Sequence, residues 1–190
     1  MRVTFYFEGA RRVEALRAFA GALGQGTKIE ESRAEGDAGI DVSYRFESPP
    51  RAWRIGDRAP RVCGRAVSFP ARLGGSIKLA ISQASLVFVV PDPTQPPEAL
   101  EASCLRWVER CLESPSSLVT FLWDRVDPRG FAQVYAASSA FFAEVGMPPL
   151  VHNRVDLSTG AGTLEACEAA LKRIAARYEL SFRSAPGTLD

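Results

Sequence analysis

Histidine is almost absent from this chain: His152 stands alone among 190 residues. A zinc site needs several nitrogen, sulfur or carboxylate ligands at fixed spacing, and a Ser–His or Cys–His nucleophilic pair would have to use this one residue. No G-x-S-x-G elbow accompanies it, so His152 reads as a structural or surface residue and no metal is expected. Cysteine is sparse as well. Cys63, Cys104, Cys111 and Cys167 show no C-x-x-C spacing, which points to reduced buried thiols and away from a disulfide framework. Charge of one sign is not in excess: 23 basic residues stand against 22 acidic ones, a net charge of +1. The basic footprint of a nucleic-acid binder is therefore missing, and no nucleic-acid partner is expected. Long apolar runs are missing too. The longest, residues 86–91, is far too short to span a bilayer. The opening MRVTFYFEG lacks the apolar stretch of a signal peptide. No integral membrane segment is expected, and the expected location is cytoplasmic.

What is present is an alternation of apolar strands and amphipathic helices. Hydrophobic residues make up 46% of the chain and charged residues 24%, enough for the core of one ordinary domain. Residues 3–7 are β-branched and aromatic, and predict a strand. Val13, Leu16, Phe19, Ala20 and Leu23 follow at helical spacing. Residues 24–39 are polar and glycine-rich and read as loop. Residues 40–46 and 61–69 read as an antiparallel pair around a turn-rich, proline-flanked segment. Residues 85–93 and 117–124 are nearly continuous apolar runs, as in strands covered on both faces. Helices are predicted over 70–84 in part, 97–114, 130–146 and 162–180, with a further strand over 148–156. The expected fold is α/β: three layers, about six strands in a mostly parallel sheet, one antiparallel edge pair, and helices on both faces. One domain spans 1–180, and 181–190 reads as a tail. Ligands of such sheets sit at the carboxyl ends of the strands, so the loops after Phe7, Phe69, Val90, Asp124 and Val155 are the ones to inspect.

Those loops carry a resemblance. The element order, residues 61–92 (RVCGRAVSFPARLGGSIKLAISQASLVFVVPD) and residues 158–174 (STGAGTLEACEAALKRI) resemble the Ras-like small GTPases, and among them the bacterial MglA-like GTPases of cell polarity and gliding motility. The likeness covers about residues 2–178. It implies a Ras-like G domain of the P-loop NTPase class. It also implies GTP or GDP with Mg²⁺ as cofactor if the chain is active, and a protein partner, a roadblock-fold MglB-like regulator.

The motifs that would perform GTP chemistry are degenerate. A phosphate cradle needs G-x-x-x-x-G-K-[ST], with backbone N–H groups around the phosphates, a lysine on them and a hydroxyl on Mg²⁺. Residues 8–17 read EGARRVEALR. Gly9 remains, but the second glycine, the lysine and the hydroxyl do not, and Glu8 and Glu14 bring negative charge. Arg11 and Arg12 either meet an anion or form a solvated first helical turn. At the second-switch position, where the family has a glycine and a water-orienting glutamine, stand Ala71 and Arg72. Thr27 and Ser32 are the only hydroxyls offered for a first switch, and neither lies in a recognisable motif.

Two segments compete for the base-reading N-K-x-D. Residues 124–127 (DRVD) fit by element count and leave Asp127 in the reading position. Residues 153–156 (NRVD) fit better by residue, with Asn153 and Asp156. The first keeps a final strand and helix in place and is preferred. Trp53, flanked by Arg51 and Arg54, is either an interface residue or a cap on the core beneath its loop; Trp107 and Trp123 read as core. These observations favour a non-catalytic small-GTPase-like protein, a pseudo-GTPase, acting as a protein-binding or regulatory module through Arg51, Trp53 and Arg72, with no bound cofactor. The alternatives are a divergent GTPase that still binds and hydrolyses GTP, and a small-ligand sensor that uses the strand-end crevice with Arg11 and Arg12.

Overall fold

A computed structural model of the chain describes residues 1–24, 27–36, 39–47, 53–66, 85–92, 94–96, 98–99, 102, 118–125, 128–144 and 151–184. Within these lie nine strands: β1 (Arg2–Glu8), β2 (Lys28–Gly36), β3 (Gly39–Glu47), β4 (Arg54–Ile55), β5 (Arg61–Ala66), β6 (Leu86–Val89), β7 (Leu118–Asp124), β8 (Val151–Val155) and β9 (Phe182–Arg183). Three helices accompany them: α1 (Arg12–Leu23), α2 (Pro128–Glu144) and α3 (Thr163–Arg177). The main sheet has seven strands in the order β2-β3-β5-β1-β6-β7-β8. The β1–β5, β1–β6, β6–β7 and β7–β8 pairs are parallel, while β2–β3 and β3–β5 are antiparallel. The chain is thus α/β with a mostly parallel mixed sheet.

The apolar strands lie in the middle because both their faces are covered. All four residues of β6 are buried. On one face Phe5, Phe7, Phe88 and Leu122 join Leu16 and Phe19 of α1 and Leu171 and Ile174 of α3 in a single cluster. On the other, Phe121, Trp123 and His152 meet Phe131 and Tyr135 of α2. Helices therefore cover both faces, as the alternation of elements predicts.

Three expectations need correction. The sheet has seven strands, because residues 28–36, read as loop, form β2. Its sequence KIEESRAEG is polar on both faces and carries no alternation; hairpin pairing with β3, in unbroken register from Lys28–Glu47 to Gly36–Gly39, supplies the order instead. Residues 40–46 are consequently not an edge, since β3 is flanked by β2 and β5. The third concerns the tail. Phe182–Arg183 pair antiparallel with Arg54–Ile55 as a small second sheet, and the Ser184 hydroxyl donates to Glu168 Oε1 at 3.0 Å. The chain is integrated into the fold through Ser184.

Glycine has a specific use beside β5. Gly64 stands opposite Phe46 on β3, and the Phe46 ring occupies the space that a Cβ would need. A bare strand position under an aromatic ring packs without a void.

Candidate functional site

The strand order turns at β1: β5 lies on one side of it and β6 on the other. A crevice at the carboxyl ends of strands is expected at that switch point. Gly9–Arg11, the end of β6 and the end of β7 stand at that point.

Only Gly9, Ala10 and Arg11 separate β1 from α1. Gly9 has φ +108°, and a Cβ on it would overlap the Val90 carbonyl oxygen. The Val90 N–H donates to Glu8 O at 2.7 Å, so the turn is laid directly on the end of β6. A glycine is needed for this close approach. A phosphate-wrapping loop requires a longer excursion, with several N–H groups turned inward. The turn here is too short for one, and its Arg12 side chain is bonded to Gly9 O at 3.1 Å.

Arg11 reaches from this turn past the end of β6, the strand between β1 and β7. Its Nη1 forms an ion pair with Oδ2 of Asp124, the last residue of β7. Asp124 is only 1% exposed, and its Oδ1 accepts the Leu157 backbone N–H at 2.9 Å. One buried carboxylate therefore ties together the start of α1, the end of β7 and the turn after β8. A buried charge is tolerated only with such partners. Near Arg11, Asp92 accepts the Thr94 N–H at 2.9 Å and hydroxyl at 2.7 Å. These two bonds, with a smaller contribution from nearby Arg11, hold its carboxyl below the usual range.

Asp156 closes β8 and organises the turn that leads into α3. Its Oδ1 accepts the Ser158 hydroxyl at 2.5 Å, the Ser158 N–H at 2.9 Å and the Thr159 N–H at 3.3 Å. Arg125 Nη2 lies 3.2 Å away and also meets the Ser158 hydroxyl. The Ser158 hydroxyl bond is the main reason that the Asp156 carboxyl is held down to about 2. Gly162, at φ +79°, lets the turn pass over Arg154, whose carbonyl oxygen would be 2.6 Å from a Cβ.

The sequence candidates are therefore dispersed. Gly9 stands at the switch point and serves packing. Asn153 lies inside β8, paired with Leu122, and so cannot read a base from a loop. Asp156 is spent on its own turn. Trp53, offered as an interface residue, is corrected to the core: it is 4% exposed, and its indole N–H donates to Glu168 Oε1 at 3.0 Å. Asp127, Arg51 and Arg72 lie outside the described residues, as do Ala71 and the rest of residues 67–84. The residue that the sequence reading undervalued is Asp124. Its signal lies in the sequence: a carboxylate ending an apolar run must find a partner, and Arg11, read as an anion contact or part of a solvated helical turn, supplies it instead.

GTP with Mg²⁺, the group the small-GTPase resemblance implies, does not fit these residues. The short turn on Val90 and the Arg11–Asp124 pair stand where a lysine, a hydroxyl and an open loop are required. Among the described residues no group of three or more His, Cys, Asp or Glu could hold a metal ion. Among them, too, no helix is long and apolar enough to cross a membrane. No protein-family model matches the chain, and no curated protein matches it.

Proposed function

We propose that this chain is a non-catalytic relative of the small GTPases, of the MglA-like kind, that works as a protein-binding or regulatory module. The observation that carries the reading is the Arg11–Asp124 pair across the strand ends. In a working small GTPase the corresponding crevice is kept open for phosphates; here an internal ion pair spans it. The sheet order and the parallel pairing around β1 support the Ras-like part. A nucleotide with no differential contacts cannot drive a switch, so a protein partner, a roadblock-fold regulator in this reading, meets a constant surface. Calorimetry with GTP and with GDP, each with Mg²⁺, tests the proposal. No binding at a Kd of about 10 μM or tighter is expected. Binding in that range would overturn the proposal in favour of a divergent GTPase.

One observation favours a second reading, the small-ligand sensor. A shallow crevice of about 410 Å³ lies between α1 and the turn after β8, bordered by Arg17, Gly21, Leu157, Ser158 and Gly160; it is a different place from the strand ends beside Arg11 and Arg12 where the sequence reading puts the ligand. Mass analysis of compounds released by heating the purified protein separates the readings. A stoichiometric small molecule favours the sensor, and none favours the protein-binding module.

A further inference from the structure

β2 is one of the two outermost strands of the main sheet, β8 being the other. Among the described residues nothing pairs with its outer side. Edge strands in monomers are usually shortened, bulged or interrupted by proline, because an open row of N–H and C=O groups recruits other strands. β2 shows none of these devices. It runs nine residues without proline, in continuous register with β3. Its protection is limited to charge: Lys28, Glu30, Glu31 and Arg33.

Those charges distinguish between registers. When two copies of one strand pair antiparallel about a two-fold axis, residues equally far from the centre stand opposite each other on the same face. Pairing centred on Glu30, on Glu31 or on Arg33 sets that charge against its own copy. Pairing centred on Ser32 sets Glu31 against the partner's Arg33, and Arg33 against the partner's Glu31, with serine facing serine at the axis. Both charged side chains are available for this, at 38% exposed for Glu31 and 71% for Arg33. Within one chain they already bond to each other at 2.8 Å; pairing would join two such bonds into a four-charge cluster. Ile29, 40% exposed at the same edge, would be partly covered.

We propose that two copies of the chain join edge to edge through β2, antiparallel and centred on Ser32, so that the two sheets become one. Like-charge repulsion rejects the registers centred on Glu30, Glu31 and Arg33; centring on Ile29 or Ala34 also opposes unlike charges but overlaps only part of β2, whereas centring on Ser32 pairs the whole strand, Lys28–Gly36. The proposal is independent of the functional reading above, since the β2 edge is not part of the strand-end crevice.

The test uses the full chain in sedimentation equilibrium and disulfide trapping. A species of twice the 20.6 kDa chain mass is expected at protein concentrations up to about 100 μM, a weak affinity of the kind small interfaces give. Arg33→Glu places glutamate against glutamate and should weaken the dimer by about tenfold or more, while Glu31→Arg combined with Arg33→Glu should restore it. Under oxidation Ser32→Cys should cross-link to its own copy, because opposite residues lie about 4.5–5.5 Å apart at Cα. Lys28→Cys should not, since its two copies would be about 27 Å apart along the strands. Circular dichroism confirms that each variant is folded. A monomer throughout that concentration range, a dimer indifferent to Arg33→Glu, or a dimer that traps through Lys28→Cys and not Ser32→Cys would each overturn the proposal.

Discussion

Asp124 holds three pieces of backbone at one point, and among the described residues Arg11 is the charged side chain paired with it. Arg11→Met should therefore cost about 2–4 kcal/mol, since it strands a carboxylate in the interior. Asp124→Asn added to Arg11→Met should recover part of that loss, because a neutral amide needs no counter-ion. Urea denaturation of the wild type, the single variant and the double variant measures both effects, and a loss below about 0.5 kcal/mol in Arg11→Met would show that the pair is not a latch. His152 offers a second test at this scale. It stacks among Phe121, Trp123, Phe131 and Tyr135 and accepts the Trp123 indole N–H at Nδ1, 2.9 Å away. Burial pushes its pKa from 6.5 down to about 4. The folded state then binds fewer protons than the unfolded state between these values, so stability falls as pH falls from about 6.5 to about 4. His152→Phe should remove that part of the slope, as read by denaturation at a series of pH values. An unchanged slope would place the histidine in water.

The small elements at the end of the chain are held by three different contacts. Phe182 packs on the core with Lys172 5.7 Å above its ring. β9 pairs with β4. Glu168 on α3 accepts from both Trp53 and Ser184. Truncation after Leu180 removes the partner strand of β4 and uncovers Ile55, which is 1% exposed. We expect a loss of about 1–3 kcal/mol with the main sheet intact, measured by chemical denaturation alongside the far-ultraviolet circular dichroism spectrum. A truncated protein as stable as the full chain would mean that the two-stranded sheet contributes nothing and that 181–190 behaves as the tail its composition suggests.

Across the whole molecule, protection should follow position in the sheet. β6 lies between β1 and β7 and is buried throughout, whereas β2 has a neighbour on one side only. Native-state amide exchange should be slowest in β1, β6 and β7 and faster in β2 by orders of magnitude, because opening the centre requires disrupting both layers while an edge strand frays alone. Measured at low protein concentration, this keeps the fraying edge separate from its pairing with a second copy. Equal protection of β2 and β6 in dilute protein would contradict the strand order.

The amino-acid sequence alone determined the class of the fold and the absence of a complete phosphate-cradle motif from residues 8–17. Both are local properties. Continuous apolar runs at 86–90 and 118–123 demand two-sided cover, and a missing lysine or hydroxyl can be read directly from residues 8–17. The helical repeats at α1 and α3 are equally local, because their buried residues recur every three or four positions. Tertiary structure decided the rest. β2 has no pattern of its own and becomes a strand through hydrogen bonds to β3, with partners from three positions away at Gly36–Gly39 to nineteen at Lys28–Glu47. Trp53 has the same neighbours in sequence whether it faces a partner or Glu168, which is 115 positions distant. Asp124 and Arg11 are likewise far apart along the chain, and only the parallel order β1-β6-β7 brings the end of one strand beneath the side chain that follows another. Pairing of this kind depends on where strands are placed in the sheet, and residue pattern carries no record of that placement.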